Sequence, residues 1–502
     1  MFHIGFETIR CRPVNCITKT ADCQRCRTQL AVYVVSGYNS GIEHQFSPTP
    51  IARRIVECLR NGGASDCLFV GGCVRDCFLG TKTKDYDIEV YGLSYRQIVQ
   101  ILRNARFHTD LVGQSFGTVK VNNTVDVSIP RTESKTGNGH KEFDVISDPN
   151  LDPKTAFARR DFTINAIGIR LKDGGSNEVV DYFGGRTDLR SKILRAPTEA
   201  FCEDPLRVLR GMQFTARFGF DMEPHTVALC RQVLPEFAAL SAERVWAEWE
   251  KWALKGQYPG KGLQLLQDTG WLECFPELAA LVGVQQNPLY HPEGDVFTHT
   301  KLTCDAAAAI AAEMQLERSE RTILMFAALC HDFGKPATTV MQDGRWRSPN
   351  HAAEGEPLAR RFLSKLQCPN KIIEHVPILV REHLAHTAIP RDTVPDFAAV
   401  RRLAVRLEPS NIRMWSAVCR SDALGSTTGK ERHRISTWDE IAEKLDIRES
   451  KTKPVLQGRD LIAWGYPPGP SMGKILQEVY EQQLDGKITT LNEAKAWLDK
   501  SS

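Results

Sequence analysis

No apolar run in the 502-residue chain reaches the roughly 18 residues that a membrane-spanning helix needs, so a bilayer is not among its expected partners. Charge of one sign is scarce too. Its 64 Lys and Arg stand against 61 Asp and Glu, for a net charge of +3, so any surface for nucleic acid has to be local. The 15 cysteines show no small-domain spacing, which argues against a disulfide-stapled secreted scaffold. They suit buried, reduced thiols in a cytoplasmic enzyme. The first residues lack the apolar core of a secretory signal, and Glu7 and Asp22 speak against a transit peptide. What is present is an ordinary globular composition, in a chain long enough for several domains.

Residues 1–47 differ from the rest. They hold Cys11, Cys16, Cys23 and Cys26, but only the last two have the tight spacing of a zinc site, and no second tight pair follows. Met1 is the only methionine before Met212, so an internal start would need another codon, as at Val34 or Val35. The segment reads as an extension, weakly ordered or mis-assigned in part.

The informative stretch is 68–92. Leu68, Phe69 and Val70 end in Gly71-Gly72; Arg75 and Asp76 follow, then Lys84-Asp85-Tyr86-Asp87-Ile88-Glu89-Val90. The last piece alternates as a strand does, which puts Asp85 and Asp87 on one face with Ile88 and Val90 behind. Two neighbouring carboxylates repel unless a cation joins them, and Mg²⁺ suits oxygen ligands and phosphate. A diglycine turn lets backbone N–H groups approach phosphate, and Arg75 adds a fixed positive charge.

Helices are expected over 49–61 and 95–103, a strand over 107–112, and paired strands over 116–121 and 125–129 with a turn at Asn122-Asn123. Asp126 is a further carboxylate on that pair. The polar stretch 131–150 reads as a mobile loop. Arg159-Arg160-Asp161 opens an Asp-x-x-x-Asn helix ending at Asn165. The 181–189 turn reads as structural, with Asp188 as a cap. Asp204 suits a helix N-cap and Pro205 the first helical position. Arg207 and Arg210 then share a face near a helix N-terminus, against the macrodipole, which asks for an anionic or planar partner. Trp246, Trp249 and Trp252 read as core.

The ordered combination of Gly71-Gly72, Arg75, Asp85, Asp87, the Arg-Arg-Asp-Phe-Thr-Ile-Asn-Ala block at 159–166 and the Glu-Asp-x-x-Arg block at 203–207 resembles one branch of the nucleotidyltransferases. That branch holds the CCA-adding tRNA nucleotidyltransferases and bacterial poly(A) polymerases. The resemblance implies that Asp85 and Asp87 hold Mg²⁺, and that Gly72, Arg75, Arg160 and Arg210 position the triphosphate. It implies too that Asp204 and Arg207 read the amine edge shared by cytosine and adenine. A further arginine often follows one turn later in the family; here Gln213 stands there.

A second constellation begins at Tyr290. The stretch from Tyr290 to Thr300, with His299, is followed by His331-Asp332, His351, and later His383 and Asp422; adjacent His-Asp with a distant histidine upstream on a helix is a set that binds transition metals. The pattern resembles HD-domain metal phosphohydrolases, which implies His299, His331, Asp332, His351 and Asp422 as ligands of a divalent transition metal. The tail pieces near 454–473 resemble the same enzyme group.

The expected fold is α+β, a small mixed-sheet nucleotidyltransferase head followed by all-α neck, body, HD and tail regions. The expected boundaries are 1–47, 48–195, 196–285, 286–425 and 426–502. The expected activity is CCA addition to tRNA from CTP and ATP with Mg²⁺, with phosphatase or cyclic phosphodiesterase chemistry at the HD site. Poly(A) synthesis, partial CC- or A-addition, and an HD phosphohydrolase with an RNA-binding head are the alternatives. Nothing in the sequence signals an oligomeric state.

Overall fold

Strand alternation builds the head of the molecule. In the computed structural model, which describes residues 46–83, 85–110, 117–135, 143–172, 177–390, 393–426 and 432–501, β1 (Asp66–Val70) and β2 (Tyr86–Tyr91) pair antiparallel. Cys67, Phe69, Ile88 and Val90 project to one face and are buried. Over them lie α1 (Pro50–Asn61), α2 (Gly72–Phe78) and α3 (Tyr95–Asn104). Thr49 caps α1, and a reciprocal Ser94–Gln97 capping box starts α3.

The same sheet takes in β3 (Thr109–Asp110), β4 (Thr118–Val121) and β5 (Val125–Ser128). Asn122 and Asn123 have φ of 47° and 60°, the left-handed pair that a tight hairpin turn between β4 and β5 requires. The stretch expected to be a loop is different. β6 (Arg131–Lys135) and β7 (Phe143–Ser147) form an antiparallel ladder of their own, from Arg131 opposite Ser147 to Lys135 opposite Phe143. Arg131–Lys135 is polar throughout, so no apolar alternation announced that strand. Residues 136–142 at its tip, 111–116, and the 1–45 cysteine segment considered for zinc lie outside the described residues.

After α4 (Pro153–Ala158), β8 (Gly168–Leu171) and β9 (Asn177–Val180) complete a seven-stranded sheet in the order β3–β4–β5–β2–β1–β8–β9. β2 runs parallel to β5 and antiparallel to β1, so the sheet is mixed. Between α4 and β8, residues Thr163–Asn165 form a short 3₁₀ turn rather than the expected helix. The turn before α5 (Gly185–Ser191) is capped by Asp181, whose carboxylate accepts from the N–H groups of Gly185 and Arg186. Asp188 is instead buried against the Thr163 hydroxyl and Arg195.

The rest is helical apart from two small pairs of strands. β10 (Ile193–Leu194) pairs with β11 (Asp221–Met222) around α6 (Leu206–Phe218). α7 (Pro224–Gln232), α8 (Ala242–Lys255), α9 (Pro259–Asp268) and α10 (Pro276–Ala279) follow. Trp249, Trp252 and Trp271 are fully buried among them, as core. Then come α11 (Val296–Glu313), α12 (Arg318–Cys330), α13 (Lys335–Thr338), the hairpin β12 (Val340–Gln342) and β13 (Arg345–Arg347), α14 (His351–Lys365), α15 (Asn370–Glu382), α16 (Phe397–Arg406) and α17 (Ile412–Gly425). The tail has α18 (Arg432–Lys444), α19 (Gly458–Ala463), α20 (Pro470–Leu484) and α21 (Leu491–Ser501). Leu456, Leu461, Val479, Ile488, Ala494 and Leu498 form a separate small core there. α20 begins at Pro470, since proline suits the first helical turn. The eleven cysteines among the described residues are all free thiols, and no described helix is long and apolar enough to cross a membrane.

Candidate functional site

The exposed face of the sheet carries the first site. Register places Lys120, Asp126, Asp87 and Val70 in one row across β4, β5, β2 and β1, and Thr118, Ser128, Glu89 and Leu68 in the next. Most of these side chains floor a cleft of about 510 Å³. Asp87 and Asp126 are therefore neighbours on adjacent parallel strands. Burial in the cleft raises the Asp87 carboxyl above the usual carboxylate range, the Asp126 charge adds to this, and Asp85 adds a smaller share. Asp85 itself is exposed, just before β2. Lys120 partly offsets the crowding, 3.0 Å from Asp126. Acids this close, with oxygens open to the cleft, have the donor set a divalent cation takes.

Gly71, with φ of +70°, turns the chain between β1 and α2. A Cβ there would only touch the Arg160 guanidinium and the Asp87 carboxylate, both at 3.4 Å, so it is the left-handed φ rather than space that favours glycine at this bend. Arg160 donates to Glu89 at 2.9 Å and lines the cleft. Behind it Asp161 is buried. It accepts from Arg210 at 2.6 Å, from the Asn165 amide at 2.9 Å and from the Phe162 N–H at 2.8 Å. Burial alone would raise the Asp161 carboxyl; Arg210 and these donors hold it below its usual value. The same ion pair raises the Arg210 guanidinium.

Arg75 goes elsewhere. It is buried, bonded to Asp76 and to the Asn165 side chain at 2.7 Å, and stacked against Phe214 and Phe218. It braces α2 against α6 and is not among the cleft-lining side chains; nor is Gly72, the first residue of α2.

The far wall is the start of α6. Asp204 accepts from the Leu206 N–H at 3.1 Å, closing the helix end, while its other oxygen meets Arg244 of α8 at 2.8 Å. Arg207 lies buried beneath, donating to the backbone carbonyls of Ala200 and Arg159. Gln213 is buried further along α6, away from the cleft. The cleft thus brings together Asp87, Arg160, Asp204, Arg207 and Arg210. Two further members, Glu89 and Arg244, escaped the sequence reading. Glu89 shares the face of Asp87 two residues on, a signal that was there to use. Arg244 is forty residues from Asp204, and nothing local marks it.

The second site lies in the α11–α17 region, beside a cavity of about 370 Å³. His331, Asp332, His351 and His383 are all buried. The Nδ1 atoms of His331, His351 and His383 face the carbonyl oxygens of Ala328, Ser348 and Val380 at 2.8, 2.7 and 2.6 Å. Carbonyls only accept, so each Nδ1 carries its proton and each Nε2 offers a lone pair. Those Nε2 atoms converge: His351 and His383 stand 3.3 Å apart, and His331 stands 3.3 Å from His299. The facing lone pairs of His351 and His383 repel at that distance without a cation between them. Asp332 belongs to both clusters, His299–His331–Asp332 and Asp332–His351–His383, each with ligand atoms within 4.8 Å of one another. Asp422 meets His299 at 2.9 Å. The donor set fits one or two divalent transition metals. Burial pushes His383 down to about 3, so it is a neutral ligand. His299 is different. Burial opposes its charge, but Asp422 and Glu293 on either side push it up to about 9.

Close packing holds this cluster. A Cβ on Gly334 would lie 2.0 Å from the carbonyl oxygen of His351, so glycine there lets the His331-Asp332 turn press against α14. His383 had no assigned role in the sequence reading; Glu293, which orients His299 at 2.8 Å, had none either.

Comparison with known proteins follows the same division. The Poly A polymerase head domain matches residues 67–195, the RNA and SrmB-binding site of polymerase A 219–281, the HD domain 296–411, and tRNA nucleotidyltransferase domain 2 413–498. The Multifunctional CCA protein of Xanthomonas campestris pv. campestris (strain B100) is 34% identical over 421 residues, covering 81% of this chain and 95% of its own. That of Halorhodospira halophila is 36% identical over 353 residues, covering 68% and 80%. The Bacillus stearothermophilus CCA-adding enzyme in complex with CTP superposes with a TM-score of 0.61 at 25% identity, over 90% of this chain and 98% of that one. The Thermotoga maritima CCA-adding enzyme complexed with tRNA_CCA shares the fold, with a TM-score of 0.57 at 17% identity, over 92% and 98%.

Proposed function

The chain belongs to the family of multifunctional CCA proteins, and on that premise we propose how its residues divide two reactions between two sites. It is a nucleotidyltransferase that builds the CCA end of tRNA from CTP and ATP. The tRNA 3′ oxygen bonds to the α-phosphorus, the bond from that phosphorus to the bridging oxygen breaks, and pyrophosphate leaves.

The observation that carries the site assignment is one shared cleft. The Asp87 row of the sheet and the Asp204–Arg210 start of α6 face each other across it. Asp87, with Asp85 and Asp126, would hold Mg²⁺, which when bound stabilises the attacking and leaving oxygens. Arg160, fixed by Glu89, contacts the triphosphate. Arg210 supplies positive charge from behind, through its pair with Asp161. Asp204 accepts from the exocyclic amine of cytosine or adenine, and Arg207 donates to the ring beside it. Arg75 acts at one remove, by fixing the Asn165 turn that carries Arg160 and Asp161.

The second cavity hydrolyses phosphoesters. His299, His331, Asp332, His351, His383 and Asp422 would hold divalent transition metal, which supplies charge on the phosphoryl oxygens and a water nucleophile at neutral pH. The working units are a 48–195 head, a 196–285 neck and body, a 286–425 hydrolase region and a 426–502 tail. Free thiols throughout the described residues suit a cytoplasmic setting.

The test is a tRNA lacking CCA, incubated with CTP, with ATP and with both. The expected products are two C additions with CTP alone and a complete CCA with both; a long A tract would identify a poly(A) polymerase instead. Asp87→Ala should reduce both incorporations by more than about a thousandfold. Residual activity within about tenfold of wild type rejects the metal role of Asp87.

A further inference from the structure

The cavity beside the histidine cluster has an outer wall that metal binding does not explain. The β12–β13 hairpin lies in the chain between Asp332 and His351, and Arg345, Trp346 and Arg347 of β13 line that cavity. Tyr290 lines it from the opposite segment and is 43% exposed. The hairpin base is pinned to the ligands. Thr339 and Ser348 hydroxyls meet at 2.8 Å, and the Ser348 carbonyl accepts from His351 Nδ1 at 2.7 Å. Trp346 is half-buried, and its indole N–H has no hydrogen-bond partner among the described residues. Arg345 forms no ion pair among the described residues, and Arg347 reaches only Asp343, at 3.9 Å. An isolated hairpin of three-residue strands has little reason of stability to present two arginines and a tryptophan to a polar cavity.

The geometry points to Trp346, Arg345 and Arg347 as the specificity wall of the phosphohydrolase site, selecting a phosphoester attached to a nucleoside over the same ester without a base. This rests on the hydrolase reading of the His331–Asp332 cluster. Indole and phenol faces stack on a base, and guanidinium groups pair with the phosphates that flank it. The ligand chemistry is a nucleoside phosphoester next to the metal ligands, either as a free nucleotide or as the 3′ end of an RNA. In hydrolysis, water oxygen bonds to phosphorus, the ester P–O bond breaks, and the leaving ribose oxygen takes a proton from that water.

Matched cyclic esters test this with the full-length chain and Mn²⁺, Co²⁺ or Ni²⁺. Adenosine 2′,3′-cyclic phosphate carries the base; glycerol 1,2-cyclic phosphate has the same five-membered ester and none. Wild type should prefer the adenosine ester by at least about tenfold in kcat/KM. Trp346→Ala should bring that ratio close to one, and Trp346→Phe should restore most of it; a general loss of folding lowers both rates and leaves the ratio alone. Arg345→Ala with Arg347→Ala should cut activity on an RNA oligonucleotide ending in a 2′,3′-cyclic phosphate by about tenfold. If wild type prefers that RNA to the free nucleotide, the source is an RNA end; if it does not, the source is a free nucleotide. Hydrolysis of both esters at equal kcat/KM, or a ratio untouched by Trp346→Ala, overturns the hairpin assignment and leaves the hydrolase standing. Hydrolysis of neither ester, with any of the three metals, removes the hydrolase reading and the hairpin role with it.

Discussion

The Oδ2 atom of Asp204 lies 2.8 Å from Nη2 of Arg244, joining the residue that leads into α6 to the first turn of α8. One oxygen of Asp204 closes its own helix; the other is aimed by this arginine into the cleft wall. A base offered to Asp204 meets a carboxylate already fixed in direction, and fixing direction before binding is what makes a hydrogen bond selective.

Replacing Arg244 by alanine should therefore loosen nucleotide selection rather than chemistry. The KM for CTP and ATP is expected to rise about five- to tenfold, and kcat to stay within about twofold. Discrimination against UTP should narrow. Single-nucleotide addition kinetics on tRNA ending before CCA measure all three. A large fall in kcat at constant KM would place Arg244 in the chemical step instead.

Asp126 stands beside Asp87 on the parallel strand, and after burial its charge is the largest contribution to the raised Asp87 carboxyl. Asp126→Asn removes one oxygen charge from the candidate cation site while keeping its shape. The Mg²⁺ concentration for half-maximal CTP incorporation should rise about tenfold, since affinity at such sites follows the charge of the ligand set. A Mg²⁺ dependence unchanged within twofold would make Asp126 only the partner of Lys120.

The Asp161–Arg210 pair makes a prediction about stability. Asp161 is buried and its carboxyl is held below the ordinary value, so the folded state keeps it ionised more readily than the unfolded chain does. A depressed carboxyl stabilises fully above the unfolded value near pH 4 and loses that contribution as pH falls through the folded value. Asp161→Asn leaves the Arg210 charge without its partner and should cost about 2–3 kcal/mol, reduced from the fully buried case because Arg210 reaches solvent. The difference in unfolding free energy from wild type should be flat from pH 5 to 8 and shrink below pH 4. A difference that instead varies across pH 5–8 would contradict the assignment.

What the sequence made legible is what sits close together in it. His331 and Asp332 are adjacent, Asn122-Asn123 is its own turn, and Asp87 keeps the strand period onto the cleft, whereas Asp85 falls just before β2 and is not among the cleft-lining residues. The ends of long-range pairs were hidden. Glu89 meets Arg160 across 71 residues and His299 meets Asp422 across 123. Arg75 shows the opposite failure. Its neighbours in sequence suggested a phosphate contact, but Asn165, ninety residues on, and two phenylalanines of α6 take up its guanidinium. Asp188 was read as a cap because it follows a diglycine turn; Asp181 has the two N–H groups within reach, and Asp188 faces the core. In each case local propensity offered two uses for a side chain, and packing chose between them.

Glu293 gives the last prediction. A single oxygen of this buried carboxylate accepts from Nδ1 of His291 at 2.9 Å and from Nδ1 of His299 at 2.8 Å. Burial alone would raise its carboxyl, but the bonds from His299 and His291 push it down to about 2, so it is an anion throughout the neutral range. Its charge favours the tautomer in which His299 carries a proton on Nδ1 and turns Nε2 toward Asp332 and Asp422. Carboxylate behind histidine is the arrangement that raises imidazole basicity at metal sites. Glu293→Gln keeps the volume and one acceptor but loses the charge. Calorimetric titration of Mn²⁺ or Ni²⁺ into the metal-free chain should then show affinity lowered about 10- to 100-fold. CTP incorporation at the other cleft serves as the folding control. Unchanged affinity in a variant that still incorporates CTP would reduce Glu293 to a packing residue, and the orientation of His299 would then rest on Asp422 and the Thr303 hydroxyl at its Nε2.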